Sequence, residues 1–322
     1  METWAVVIEA PLDASLRRVE LKPLAADEVL IETLWSGVSA GTERLLWSGR
    51  MPPFPGLGYP LVPGYETVGR VIDAGSEARG RIGETVFVPG SVGFVEVKGL
   101  FGGAAQRLVS ASSRVATLDP AWGETGVLLA LAATAWHALA GGPGPELVVG
   151  HGVLGRLLSR LALVRDGVAP TVWEIRPERR LGAKGYAVVD PATDDRHDYR
   201  VICEASGAGA ALGGLIERLG RGGEIVLAGF YDAALSFDFA PAFMREARLR
   251  VAAEWTHTDL AAVVALLSEG RLDLSDLITH RRRPDEAATA YAQAFDDPAC
   301  LKMVFDWRGL DDAHGLPQAG NV

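Results

Sequence analysis

At 322 residues the chain exceeds the ~250–300 residues at which a single hydrophobic core stops growing, so two domains are expected. Hydrophobic residues at 48% and charged residues at 22% are globular values and exclude a disordered chain. The net charge of −10, with no basic block, excludes a nucleic-acid partner, because phosphate binding needs clustered Lys and Arg.

From the start of the chain, METWAVVIEAP carries two acids and no basic segment, which is not a secretion signal. Short apolar or alternating runs follow at Ala5–Ile8, Glu28–Thr33, Glu66–Ile72, Thr85–Pro89 and Arg107–Ser110. Gly and Pro clusters such as Pro52–Gly56 and Pro60–Gly64 punctuate them, predicting an irregular β-rich domain with long loops. Near Leu118 the texture changes. A helical run at Gly126–Ala140 contains the longest apolar stretch, Val127–Leu139, which is shorter than the ~20 residues of a membrane span and reads as a buried helix. Strands and helices then alternate. Strands are expected at Leu147–Val149, Thr171–Glu174, Tyr186–Val189, Val201–Glu204, Glu224–Ala228 and Leu249–Ala252. Helices are expected at Leu154–Val164, Pro177–Lys184, Ala210–Leu219 and Asp259–Leu267. This alternation predicts an α/β domain with a doubly wound parallel sheet. A helix at Pro284–Phe295 and a strand at Lys302–Phe305 are expected to return to the first domain, and the polar tail Asp311–Val322 to fray. Two cysteines, Cys203 and Cys300, form no disulfide framework and fit a reducing cytoplasmic setting.

The most specific signal is Gly150-His151-Gly152-Val153-Leu154-Gly155, between a strand and a helix. The first glycine permits a tight turn, the second lets backbone approach a pyrophosphate, and the third lets the helix pack on the sheet. Glu174 follows at the end of the next strand, where a carboxylate accepts hydrogen bonds from ribose hydroxyls and favours NAD. Arg176, Arg179 and Arg180 leave NADP as the alternative. Ser206 and Gly229, just past the fourth and fifth strands, complete the expected cofactor set.

Six ordered pieces resemble the medium-chain dehydrogenase/reductase superfamily: Gly37–Glu43, Pro63–Glu66 with Gly69, Arg81–Val86, Gly102–Ala105, Gly150–Gly155 and Gly222–Val226. The resemblance implies a GroES-like catalytic domain from residues 1–123 and 277–322 around a Rossmann NAD-binding domain at 124–276. The stretches Trp35–Arg50, Phe54–Glu66, the glycine loop with its internal His151, and Phe243–Trp255 resemble the bacteriochlorophyllide-oxidising branch of that superfamily. That likeness implies oxidation of a 3-(1-hydroxyethyl) side chain on a bacteriochlorin to acetyl, with NAD as acceptor. It also suggests transient proximity to membranes without stable insertion. The fold often pairs cofactor domains edge to edge, so a homodimer is expected. A zinc-free quinone or enoyl reductase using NADPH, and a non-catalytic dinucleotide-binding protein, are the rival readings.

Zinc-dependent relatives place a Cys where Ser39 or Ala40 stands, a His where Tyr65 stands, and a third ligand near Ala130. Their structural cysteines fall near residues 90–110, where this chain has none. His137, His151, His197, His257, His280 and His314 lack ligand spacing, and no zinc is expected. In its place Ser39, Thr42 and Tyr65 are expected to line the vacated position, one of them meeting the substrate oxygen with Glu66 orienting it from behind. His151 is a further relay candidate, but its place in the phosphate loop favours shaping that turn. The alternative is that Tyr65 and Ser39 merely fill the vacated cavity. Trp47, Phe54, Tyr59 and Trp255 are expected to flank a flat macrocycle, and Arg44 and Arg50 to pair with its propionate. Core packing of the aromatics and solvation of the arginines are the competing explanations.

Overall fold

The computed structural model describes residues 1–310, so the expected fraying of Asp311–Val322 and the expectation for His314 lie outside the described residues. The chain folds as a GroES-like β-rich part joined to a doubly wound α/β part. A seven-stranded sheet takes Glu28–Val38, Thr67–Ala74, Thr85–Val88, Arg107–Ala111 and Ala116–Thr117 from the first third of the chain. It takes His280–Arg282 and Met303–Asp306 from the end. The returning strand runs antiparallel to Glu28–Val38 with Met303 opposite Val38, which sets Lys302 beside Ser39. Trp307 locks the return, its indole N–H donating to Ser36 Oγ at 2.8 Å inside the core. A smaller four-stranded sheet is built on Glu2–Ala10, whose Ala5–Ile8 are fully buried because both faces of the strand are covered.

The second sheet has six parallel strands in the order Ala187–Val189, Thr171–Trp173, Leu147–Val149, Tyr199–Glu204, Leu219–Leu227, Arg248–Val251. The order reverses beside Leu147–Val149, which opens a crevice at the carboxyl ends of the strands. Its strands are nearly continuous apolar runs because helices cover both faces. The helix Leu129–Leu139 packs between Val153–Asp166 and His257–Ser268, and buried Ala130, Ala132, Ala133, Ala135 and Ala138 permit that close approach. Among the described residues no helix is long and apolar enough to cross a membrane. Cys203 and Cys300 are buried and unpaired.

Several elements differ from the sequence reading. The expected helix Pro177–Lys184 is a single 3-10 turn, Pro177–Arg180, because Gly182 and Gly185 adopt positive φ and Arg156 takes up the loop carbonyls that a helix would use. Gly126–Ala140 splits into a 3-10 segment Pro120–Leu128 and the α-helix Leu129–Leu139. Ala210–Leu219 ends earlier, as Leu212–Arg218, since Leu219 already opens the next strand. The strand Asp13–Glu20 and the helices Thr42–Ser48 and Phe239–Arg245 escape the periodicity. Both helices have only seven residues, about two turns, too short for an amphipathic stripe to repeat.

Candidate active site

One cavity of about 1590 Å³ lies between the two parts, larger than the ~300–1,000 Å³ typical of a small-molecule pocket and roomy enough for a cofactor with a large substrate. Ser39, Thr42, Tyr65, Phe54, Phe101 and Lys302 line it from the β-rich side; Gly150, Gly152, Val153, Leu154, Glu174, Ser206, Gly229 and Trp255 line it from the α/β side.

Ser39, Thr42 and Tyr65 lie together. Tyr65 Oη and Ser39 Oγ are 2.6 Å apart, and Thr42 Oγ1 lies 3.3 Å from the same phenol. Phe101 abuts the Tyr65 ring edge-on at 5.3 Å, and Phe54 abuts Phe101 at 6.1 Å, an aromatic wall that fixes the phenol's direction. Burial, then the charge of Glu66, pushes the Tyr65 phenol well above its usual range, against the opposing hydrogen bonds of Ser39 and Thr42. Tyr65 therefore stays protonated.

Glu66 is fully buried behind this group and forms an ion pair with Lys302, also buried. Gly37 makes the space: a Cβ there would lie 2.2 Å from Glu66 Oε2 and 3.1 Å from Lys302 Cε. Glu43 joins the cluster, accepting the Ser39 amide at 2.9 Å and the Tyr291 hydroxyl at 3.0 Å. Burial raises its pKa to about 7, helped by Glu66 and opposed by the Ser39 amide and Lys302. Lys302 and Glu43 escaped the sequence reading. A lone lysine inside the apolar run Cys300–Phe305 was the available signal for the first.

The glycine loop has the shape its spacing demands. Gly150 has φ +96°, and a Cβ on Gly155 would stand 1.8 Å from the Gly150 carbonyl oxygen, so helix and strand touch there. Nothing lies within 4 Å of a Cβ built on Gly152, which faces the cavity at the helix N-terminus. This open cradle fits a dinucleotide pyrophosphate. Glu174 lines the cavity and accepts amide hydrogens from His151 at 3.1 Å and Arg176 at 2.8 Å.

His151 takes the turn-shaping role rather than the relay: its ring is buried, with Nδ1 2.7 Å from the Arg179 carbonyl and Nε2 3.0 Å from Tyr186 Oη, and burial lowers its pKa to about 4. It fastens the loop. Other expectations are corrected. Arg179 lines the cavity, but its guanidinium donates to the Pro298 and Cys300 carbonyls at 2.9 and 3.3 Å. Trp47, Arg50 and Tyr59 do not line the cavity. Trp47 packs on Phe295 at 5.7 Å, Tyr59 donates to the Leu46 carbonyl, and Arg50 lies 3.5 Å from the Asp232 carboxylate. Arg44, Phe54 and Trp255 do line it. At the positions where relatives keep metal ligands stand Ser39, Tyr65 and buried Ala130, and no cluster of three or more His, Cys, Asp or Glu suited to a metal occurs among the described residues.

Residues 25–120 match the alcohol dehydrogenase GroES-like domain family. The chain is 54% identical over 311 residues to the 2-desacetyl-2-hydroxyethyl bacteriochlorophyllide A dehydrogenase of Rhodobacter capsulatus, covering 96% of this chain and 99% of that protein. It belongs to that dehydrogenase family. The Cereibacter sphaeroides protein of the same description is 53% identical, again over 96% of this chain and 99% of the relative. Among solved structures, an alcohol dehydrogenase of Escherichia coli CFT073 complexed with NADH superposes with a TM-score of 0.81 at 20% identity, over 95% of this chain and 99% of that one. The 2R,3R-butanediol dehydrogenase of Bacillus subtilis gives 0.78 at 19%, with the same coverage. These two likenesses concern the fold.

Proposed function

We propose that the chain oxidises the 3-(1-hydroxyethyl) side chain of a bacteriochlorophyllide to 3-acetyl, with NAD as acceptor and without zinc. The observation that carries this is the bonded Ser39–Tyr65 hydroxyl pair facing the same cavity as the glycine cradle, in a chain 54% identical to a relative so described. NAD, when bound, would supply the hydride acceptor for the carbinol carbon, with the carbinol proton passing to solvent as the C–O bond becomes a carbonyl. Gly150, Gly152 and the helix after them would hold its pyrophosphate, and Glu174 its adenosine ribose. NAD rather than NADP is supported by Glu174 in the cavity and by the commitments of two of the three arginines after it, while Arg176 lines the same cavity. Arg179 is bound to carbonyls, and Arg180 to Asp190 at 2.5 Å, so neither is turned to a 2′-phosphate.

Tyr65, held protonated, fixes the substrate oxygen by hydrogen bonding and does not take its proton. Phe54, Phe101 and Trp255 supply apolar surface for the macrocycle, and Arg44 is the remaining candidate for its propionate. Purified protein, dialysed against a chelator, should convert hydroxyethyl-bacteriochlorophyllide with NAD, followed by the pigment's absorption shift. Tyr65→Phe should lower turnover about 10²-fold, the scale of one lost oxyanion donor, and Ser39→Ala less. Full activity in both variants would remove the pair from catalysis; dependence on added zinc, or turnover of enones with NADPH alone, would overturn the reading.

A homodimer is the matching assembly. The strand Arg248–Val251 ends the parallel sheet with Leu249 and Val251 exposed, beside exposed Phe243 and Met244. An unpaired apolar edge invites the same edge of a second copy. Sedimentation equilibrium should report a dimer, and Val251→Lys a monomer; a wild-type monomer at micromolar concentration would refute it.

A further inference from the structure

We propose that His257 coordinates the magnesium of the bound pigment from one face of the macrocycle; this rests on the reading above. The other described histidines are committed. His137 Nδ1 lies 2.9 Å from the Asp259 carboxylate, His197 Nδ1 is 3.0 Å from the Glu217 carbonyl, and His280 Nδ1 is 2.9 Å from Thr279 Oγ1. His151 is held on both ring nitrogens. None of these four lines the interdomain cavity. His257 does, it is exposed, and neither ring nitrogen has a hydrogen-bond or ionic partner among the described residues.

Its mount is rigid. His257 opens the helix His257–Ser268, whose start is fixed by reciprocal bonds between Thr256 and Asp259. Asp259 is held in turn by His137. The His257 ring meets Trp255 edge-on at 6.4 Å, and Trp255 lies 6.3 Å from Phe87. Phe87 is fully buried and backs Trp255 from the core. Trp255 and His257 stand on the wall of the cavity that also holds the hydroxyl group set.

The chemistry fits that wall. A bacteriochlorophyllide holds magnesium in four ring nitrogens and leaves its axial positions open, and a neutral imidazole is a ready nitrogen donor. Glu254 shares the wall, and magnesium as a hard cation favours oxygen. A carboxylate on the neutral chelate, however, buries a net charge against an apolar ring, which imidazole avoids.

The test titrates hydroxyethyl-bacteriochlorophyllide and its magnesium-free counterpart into wild type, His257→Phe, His257→Gly and Glu254→Gln, reading affinity and the visible band that responds to magnesium's coordination number. Loss of an outer-shell partner alone costs about 10–100-fold in metal affinity, so His257→Phe should bind the magnesium pigment at least about tenfold more weakly. It should bind the magnesium-free pigment as wild type does, and added imidazole should restore the coordination band in His257→Gly. Equal loss of both pigments, retained preference for magnesium in the His257 variants, or loss of that preference in Glu254→Gln overturns the assignment. Failure of the wild type to bind either pigment would instead bring down the substrate reading, and this assignment with it.

Discussion

Lys302→Met is expected to destabilise the protein by about 3–5 kcal/mol, the cost of leaving a buried ionic partner uncompensated. The partner is Glu66, fully buried, with Lys302 as the charge that lowers its pKa against burial. Methionine matches the lysine stem but supplies no charge, so Glu66 must stay protonated or drag water into the core. The pH dependence has a definite sign. With Lys302 gone, the folded-state pKa of Glu66 rises further above its unfolded value, so the fold binds an extra proton. Stability is then best retained at acidic pH and is lost as pH rises through and beyond the ordinary carboxylate range. Urea unfolding at acidic and mildly alkaline pH should show the variant's deficit growing with pH. Adding Glu66→Gln to Lys302→Met should recover much of the loss, because the orphaned charge is gone; no recovery would mean the pair does not share the energy assigned to it.

The fold and the cofactor cradle were legible because their signals are local. Glycine spacing, strand–helix alternation and a strand-terminal acid each follow from the backbone geometry of a single βαβ unit, and the parallel sheet carries them in that order. Ser39, Thr42 and Tyr65 were legible only through positions where relatives keep metal ligands. The hidden parts are contacts between distant segments. Lys302 reaches Glu66 only because the last strand pairs Met303 with Val38, a register that no window of sequence displays. Trp47 and Tyr59 look like pocket aromatics in sequence, yet the short helix Thr42–Ser48 turns the first to Phe295, and the second to the carbonyl of Leu46. Aromatic density cannot say which face of a loop is wet. His151 reads in sequence as shaping its turn, but the partners that let it do so, the Arg179 carbonyl and Tyr186, lie 28 and 35 positions away.

The two glycines of the cradle separate folding from binding. Gly155→Ala should fail in both respects. Its Cβ would stand 1.8 Å from the Gly150 carbonyl oxygen, and since the Cβ is fixed by its backbone and the oxygen belongs to one, neither can swing aside. The helix Val153–Asp166 must lift from the strand Leu147–Val149, at a cost on the overpacking scale of about 1–3 kcal/mol or more. The amides aimed at the pyrophosphate move with it, so NAD affinity should fall about tenfold for each ~1.4 kcal/mol of lost alignment. Gly152→Val poses the opposite case. Its φ of −73° suits any L-residue and its Cβ meets nothing within 4 Å, so thermal stability should stay within about 0.5 kcal/mol of wild type. The isopropyl group would nonetheless project into the space where the anion must approach the helix N-terminus, and NAD binding should fall by about 10²-fold or more. Calorimetric titration with NAD alongside thermal unfolding decides the matter. A Gly152→Val protein that folds and binds NAD normally would show that the pyrophosphate does not lie against this turn, and the assignment of the cofactor site would have to move.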